Sequence, residues 1–328
     1  MLEIANLSVR VATPQGSVAV VDDVSLSLAA GATLGIVGES GSGKSMLALA
    51  TVGLLPQAAS ATGRILFGGQ DLLLLPEASL CRVRGARIGM IFQEPMTALN
   101  PAMTVGDQIA EGILWHRGSA VGRRAARAEA LRLMDRVRIP DAARRFGAYP
   151  HELSGGQRQR IAIAVALALG PALLIADEPT TALDVTVQAG ILDLLDDLVR
   201  ETGMALMIIS HDLGVISDMA DRTLVMYAGT RVEEGETADV LRRPAHPYTR
   251  GLLAAMPRRS GGGGAAAAGR LETIPGAVPA AGRLPPGCRF AARCPFVTDA
   301  CRAAEPAWRT PFGPDHGVRC IRAEELAA

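Results

Sequence analysis

The chain of 328 residues is poor in aromatics (3%), and it holds a single lysine, Lys44, against 32 arginines. Residues 1–30 contain no Phe, Tyr or Trp. Net charge is also missing, with 33 basic against 33 acidic side chains. That balance argues against a nucleic-acid protein relying on a broad basic field, and against an acidic disordered tail. No apolar run approaches the roughly 20 residues of a membrane span. The longest uncharged apolar stretch, Ile161 to Ala176, has 16 residues and contains Gly170-Pro171. The start, Met1-Leu2-Glu3-Ile4, lacks the charged region and apolar block of a signal peptide. These absences predict a soluble, cytoplasmic, globular protein, long enough for about two domains and a sizeable core.

What is present alternates between short apolar runs and helical stretches, the pattern of an α/β domain with a mixed or parallel sheet. Predicted strands are Leu34–Val37, Ile88–Phe92, Leu173–Ala176, Leu206–Ile209 and Leu224–Tyr227. Several run directly into polar or Gly-rich segments, where open α/β sheets bind ligands. From about 95 to 158 the sequence turns Ala/Arg-rich and helical, as in Gly122–Val137, which predicts a helical subdomain inserted into the sheet domain. Ile161–Leu169 alternates with a strand-like period of two. Its alanines and the preceding Ser154-x-x-Gln157 capping box instead predict a buried helix. The main α/β domain is expected to span 1–258. A Gly/Ala/Pro-rich linker follows at 259–284, with Gly261–Gly269 all Gly and Ala, and then a four-cysteine segment at 285–325 with little apolar mass of its own.

Gly38-Glu39-Ser40-Gly41-Ser42-Gly43-Lys44-Ser45 fits G-x-x-x-x-G-K-[ST] between a predicted strand and a helix beginning near Met46. The glycines let successive backbone N–H groups face phosphate oxygens, Lys44 supplies a compact charge, and the Ser45 hydroxyl suits Mg²⁺. In an arginine-biased chain, the one ammonium stands where a planar guanidinium would not fit. A Gly-rich turn with an incidental lysine is the plainer alternative. The strand before the loop and the helix after it weigh against that.

Asp177 and Glu178 end another apolar strand; alone they would read as a solvated turn. Beside a phosphate loop, Asp177 is expected to hold Mg²⁺ directly or through water, and Glu178 to polarise an attacking water. Gln93 and His211 follow two more strands at the same sheet edge, suited to metal or water and to the γ-phosphate respectively. Leu153-Ser154-Gly155-Gly156-Gln157 opens a further helix with free N–H groups. It reads either as a well-capped helix or as a second anion site, its Gly-Gly pair admitting close backbone approach. Since one nucleotide is already served by the Lys44 loop, such a site would complete a chamber on another subunit.

In this order, GESGSGKS, Gln93, LSGGQ, LLIADEP and Ser210-His211-Asp212 resemble the Walker A, Q-loop, signature, Walker B and switch-histidine motifs of ABC transporter ATPases. Asp184 matches the D-loop aspartate. His246–Leu253 and the tail from Gly287 to Cys320 resemble the ATPase subunits of oligopeptide/dipeptide or nickel importers. The ADEPTT run and Val165 are similar to one of their two paralogous ATPase types. The resemblance implies an ATP-sandwich dimer, paralogous or homodimeric, with Mg²⁺ bound by Ser45, Gln93 and Asp177. It further implies two permease subunits received near Glu94–Glu111, an extracytoplasmic solute-binding protein acting indirectly, and a peripheral place on the cytoplasmic face of the inner membrane. The family's adenine-stacking aromatic is missing, which leaves Val11 or Val18 for apolar contact only.

The tail cysteines follow Cys288-x5-Cys294-x6-Cys301-x18-Cys320, without a C-x2-C pair. In a reducing compartment such a cluster suggests a metal before disulfides. On ligand type alone Zn²⁺ and a [4Fe–4S] cluster fit equally, and unliganded cysteines are the third reading. The importer resemblance implies iron–sulfur, with zinc as the alternative. A competing function, a non-transport cassette ATPase of DNA maintenance, would need a long insertion between Ser45 and Ser154. Only 108 residues lie there, with no heptad run, and the neutral charge argues against nucleic acid.

Overall fold

The computed structural model describes residues 1–93, 98–181, 183–256 and 273–327. Five short apolar strands form a parallel sheet: β3 (Thr33–Val37), β6 (Ile88–Ile91), β7 (Leu173–Asp177), β8 (Ala205–Ser210) and β9 (Arg222–Tyr227). Their order is β9-β3-β8-β7-β6, and β10 (Thr230–Glu236) and β11 (Gly317–Val318) extend the β9 edge antiparallel. These are the five expected strands, within a residue or two at each end.

Successive strand side chains point to opposite faces, so a sheet covered on both sides must be apolar throughout. The strands obey this closely. Ile36, Leu173, Ile175, Met207, Ile209 and Met226 enter one core, while Val37, Leu174, Ala176, Leu206, Ile208 and Tyr227 enter the other. The first core is closed by a second, antiparallel sheet, β2-β1-β4-β5, made of β1 (Leu2–Thr13), β2 (Gly16–Leu28), β4 (Ala59–Phe67) and β5 (Gln70–Asp71). Between the sheets lies the helix Lys44–Thr51, burying Leu47, Ala48 and Ala50.

The second core is covered by helices. Val105–Arg117 and Arg123–Arg136 pack through Ile109, Ile113, Ala126, Ala130 and Met134 onto Phe146 and the helix Gly155–Leu167. The last of these is the expected buried helix, with Ile161, Ile163 and Ala164 inaccessible. The expected inserted helical subdomain is therefore present; its Glu94–Thr97 portion lies outside the described residues.

The poly-Gly/Ala stretch Gly261–Gly269 also lies outside them. From residue 273 the chain returns to the α/β body and shares its core. β11 pairs with β10, Phe290 packs edge-on against Tyr227 at 5.2 Å, and Ile274, Val278 and Leu284 lie against the helical-side core. The segment thus solves its shortage of apolar mass by using a neighbour's. Glu233, wholly buried on β10, takes the backbone N–H groups of Ala245 and His246 and pairs with His316 at 2.8 Å.

Candidate functional site: a phosphate loop facing a carboxylate hub

The loop after β3 is built by close approach. A Cβ on Gly38 would stand 2.2 Å from the Met226 carbonyl oxygen. Gly43, at φ 98°, is the left-handed N-cap of the helix Lys44–Thr51, and a Cβ there would meet the Val20 carbonyl at 2.5 Å. Lys44 is buried and folds back over the loop, donating to the carbonyls of Gly38 (2.7 Å) and Glu39 (3.1 Å) and to Ser42 Oγ (3.5 Å). Burial lowers its pKa, opposed by the carboxylates of Glu178, Asp177 and Glu39. Ser40 and Gly41 form the exposed tip, whereas Glu39, Ser45 and Met46 are half-buried.

At the end of β7, Asp177 is buried beside Ser45. Burial raises its pKa, and its Oδ1 has no hydrogen-bond partner. An inaccessible carboxylate oxygen without a donor, beside a hydroxyl on the phosphate loop, suits a hard cation shared with a nucleotide. The donor set therefore fits Mg²⁺.

Glu178 turns out of the strand in a left-handed conformation, φ 47°, costing on the order of 1 kcal/mol for a non-glycine residue. That turn aims its carboxylate along the sheet edge. Its Oε2 accepts from Gln93 Nε2 (3.3 Å) and Thr181 Oγ1 (2.8 Å) and lies 3.2 Å from His211 Nδ1. Three residues chosen separately from the sequence, Gln93, Glu178 and His211, thus meet on one oxygen. Thr181 joins them unannounced; its place three residues after Glu178 in the turn was the available signal.

The Ser154–Gln157 segment stands elsewhere. Ser154 Oγ accepts from the Gln157 N–H (3.3 Å) while Gln157 Oε1 accepts from the Ser154 N–H (3.1 Å), the expected capping box. Leu153 is buried, and Ser154 and Gly155 are exposed. Asp184 caps the helix Val185–Thr202, accepting from the Val187 N–H at 3.0 Å, and sets the Val187 side chain against Gly156. Gly156 therefore has a reason within the chain to lack a Cβ. Among the described residues no hydrogen bond or ion pair joins 154–157 to the loop 38–45.

The tail cysteines correct an expectation. Cys288, Cys294, Cys301 and Cys320 are free and line a narrow apolar cavity with Pro247, Phe290 and Ile321. Among the described residues no three His, Cys, Asp or Glu side chains are grouped so as to hold a metal ion. Neither the [4Fe–4S] cluster nor its zinc alternative holds. The physical reason is the setting of the thiols. Burial pushes the Cys288 pKa up to about 11 and raises those of Cys294 and Cys320, as thiols packed in apolar surroundings do. Two of the sulfurs already have protein partners: Cys301 with Thr298 Oγ1 at 3.3 Å, and Cys320 accepting from the Arg322 N–H at 3.4 Å. These cysteines act as packing residues.

Comparison with known proteins agrees with this geometry. A protein of Brucella melitensis biotype 1 named as a peptide import ATP-binding protein is 49% identical over 336 residues, covering 100% of this chain and 98% of its own. A similarly named protein of Brucella abortus is 51% identical over 307 residues, 93% of this chain and 90% of its own. The family described as ABC transporter matches residues 21–181. The chain belongs to the ABC transporter ATP-binding family.

For this ABC ATPase, residues 232–301 also match the oligopeptide/dipeptide transporter C-terminal region. Two dimeric structures of the ATP-binding cassette MJ0796, one in a post-hydrolysis state bound to ADP and Pi, superpose with TM-score 0.65 at 28% identity, covering 72% of this chain and 99% of theirs. The cbiO1 structure from Clostridium perfringens gives 0.61 at 27% identity, covering 73% and 89%. ATP binding and hydrolysis, and a dimeric ATPase architecture, go with this family and fold.

Proposed function

We propose that this ABC ATPase powers a membrane importer of di- or oligopeptides, hydrolysing ATP between two facing ATPase subunits. The observation that carries the reading is the convergence of Gln93, Thr181 and His211 on Glu178 Oε2, at the sheet edge that also bears the Lys44 loop. In this reading, residues 38–46 cradle the triphosphate. Lys44 exchanges its loop carbonyls for phosphate oxygens, His211 bonds the γ-phosphate, and Glu178 orients and polarises the attacking water. Ser45, Asp177 and Gln93 would hold Mg²⁺, which would neutralise charge on the phosphates.

The Ser154–Gln157 segment, exposed and remote from its own loop, serves the nucleotide of a facing subunit, and Asp184 lies beside it. A homodimer and a paralogous heterodimer both satisfy this arrangement. Peptide cargo follows from the names of the relatives and from the C-terminal family match. Nickel or another solute, and a DNA-maintenance role, have no comparable support.

Permease subunits are expected on the helical subdomain. There Met103, Asp107, Glu111, Arg123 and Phe146 line a groove beside Trp115, a residue 62% exposed. No helix of the described residues is long and apolar enough to cross a membrane, which fits a peripheral subunit on the cytoplasmic face, with a solute-binding protein on the other side. The ATPase domain is taken as 1–258 and the four-cysteine segment, 285–325, as an appendage docked on it.

Glu178→Gln tests the core of this reading. Phosphate release should fall by about 10²- to 10⁴-fold, and ATP should shift the protein from monomer to dimer by light scattering. Unchanged hydrolysis would remove Glu178 from its role.

A further inference from the structure

The second residue of the phosphate loop is gripped from the C-terminal segment. Glu39 donates its backbone N–H to Tyr248 Oη at 2.7 Å, and its carbonyl accepts from Lys44 Nζ. Its carboxylate receives both arms of Arg293, Nη1 to Oε2 at 2.6 Å and Nη2 to Oε1 at 2.9 Å. Arg293 is buried and comes from a segment 254 residues further along the chain. Its remaining donors go to Pro275 O (Nε, 2.8 Å), Ile274 O (Nη2, 3.3 Å) and Tyr227 Oη (Nη1, 3.4 Å). A guanidinium has five N–H donors in a fixed fork, and here all five are engaged. The cation is locked in one position, aimed at one carboxylate.

That carboxylate is awkwardly placed for a loop that binds a polyanion. Glu39 is near enough to Lys44 to act on its charge, and so near enough to repel the β- and γ-phosphates that Lys44 would hold. Unneutralised, it would work against nucleotide binding. A bidentate pair with a buried guanidinium cancels the charge and fixes the loop backbone at the same residue.

We propose that Arg293 is a positioning residue of the nucleotide site, neutralising Glu39 so that the phosphate loop binds ATP more tightly when the C-terminal segment is docked. This rests on the assignment of the Lys44 loop as the ATP site. It gives the tail a task that requires no metal: it supplies the counter-ion that the ATPase domain lacks at Glu39.

The test is a charge cycle on the full-length chain, measuring ATP binding by fluorescent-nucleotide competition and steady-state KM and kcat. Arg293→Gln should raise the Kd for ATP about tenfold, mainly through KM, and the deficit should shrink as salt screens the unpaired carboxylate. Removing the second charge as well, in Arg293→Gln with Glu39→Gln, should recover most of the affinity. If Arg293 only holds the tail in place, the double variant will bind as weakly as Arg293→Gln at every salt concentration, and the proposal falls. Circular dichroism and urea unfolding check that each variant is folded. Should Arg293→Gln not fold, Arg293→Lys takes its place, keeping the charge without the fork: a Kd within about threefold of the parent's supports neutralisation, and a loss of about tenfold or more at every salt concentration overturns it. Lys44→Ala separates the two levels. If that change leaves ATP binding intact, the site assignment itself fails; if it abolishes binding while Arg293→Gln does nothing, only the role of Arg293 is lost.

Discussion

His246 links stability to pH. It caps the helix Pro247–Ala254, its Nδ1 accepting the Tyr248 N–H at 3.1 Å, and it is buried beside Phe290. Its own backbone N–H goes to Glu233, whose other carboxylate oxygen meets His316. Burial depresses the imidazole pKa from 6.5 to about 3. Between those values the unfolded chain binds a proton that the folded chain refuses. The stabilisation is therefore complete above the unfolded value and is lost progressively as pH falls toward the folded one. At about 1.4 kcal/mol per pH unit, and starting near 6.5, going from pH 7 to pH 5 should cost about 2 kcal/mol through this residue alone.

Urea unfolding at the two pH values measures the loss in the parent and in His246→Asn. Asparagine is a good helix cap whose oxygen can take the same N–H without titrating. Glu233, His316 and the surface carboxylates are common to both proteins and cancel in the difference. His246→Asn should lose about 2 kcal/mol less than the parent over this interval. Equal losses would refute the argument and place the acid sensitivity elsewhere. The same helix carries the Tyr248 hydroxyl that receives the Glu39 N–H, so acid loosening of this cap should reach the phosphate loop before the sheet unfolds.

Two further substitutions examine the docked segment and the signature helix. Phe290→Ala removes a buried ring that touches Tyr227 and Tyr248; it should cost about 3–5 kcal/mol and lower the main unfolding transition, because the ring lies in the core of the ATPase domain. A main transition left unchanged in calorimetry would mean the segment folds separately. Gly156→Ala would place a methyl 2.6 Å from Val187 Cγ1, whereas Gly155→Ala meets nothing nearer than Leu183 Cδ2 at 3.5 Å. The first should cost about 1–3 kcal/mol and be relieved by Val187→Ala. The second should leave the urea midpoint nearly unchanged and reduce ATP-dependent dimerisation; similar effects from both would mean the pair serves only one purpose.

The parallel strands were legible because burial on both faces forces an unbroken apolar run, and Leu173–Ala176 or Leu206–Ile209 can be little else. The antiparallel sheet was not. In β1 the buried residues are Leu2, Ile4, Leu7 and Val9, so the period of two slips between Ile4 and Leu7. Asn6 turns left-handed there (φ 50°), and its side chain bonds Asp23, which has φ 51° on the paired strand. A bulge that re-aims the chain erases the alternation by which a strand is recognised.

The placement of the candidate site residues was legible because each sits at the end of a recognisable strand or the start of a helix, where sequence order fixes the location. How Glu178 points was not, since its left-handed turn depends on its backbone N–H reaching the Ile209 carbonyl on the neighbouring strand. The cysteines show the opposite failure. Their spacing suggested mutual ligation, but spacing does not reveal that Phe290, Pro247 and Ile321 would fill the space around them. Local pattern identifies residues whose partners are adjacent in sequence. Where the partner comes from a distant segment, as Arg293 does for Glu39, the chemistry is written only in the folded chain. That is why a tail with too little apolar mass to stand alone can still hold part of the nucleotide site.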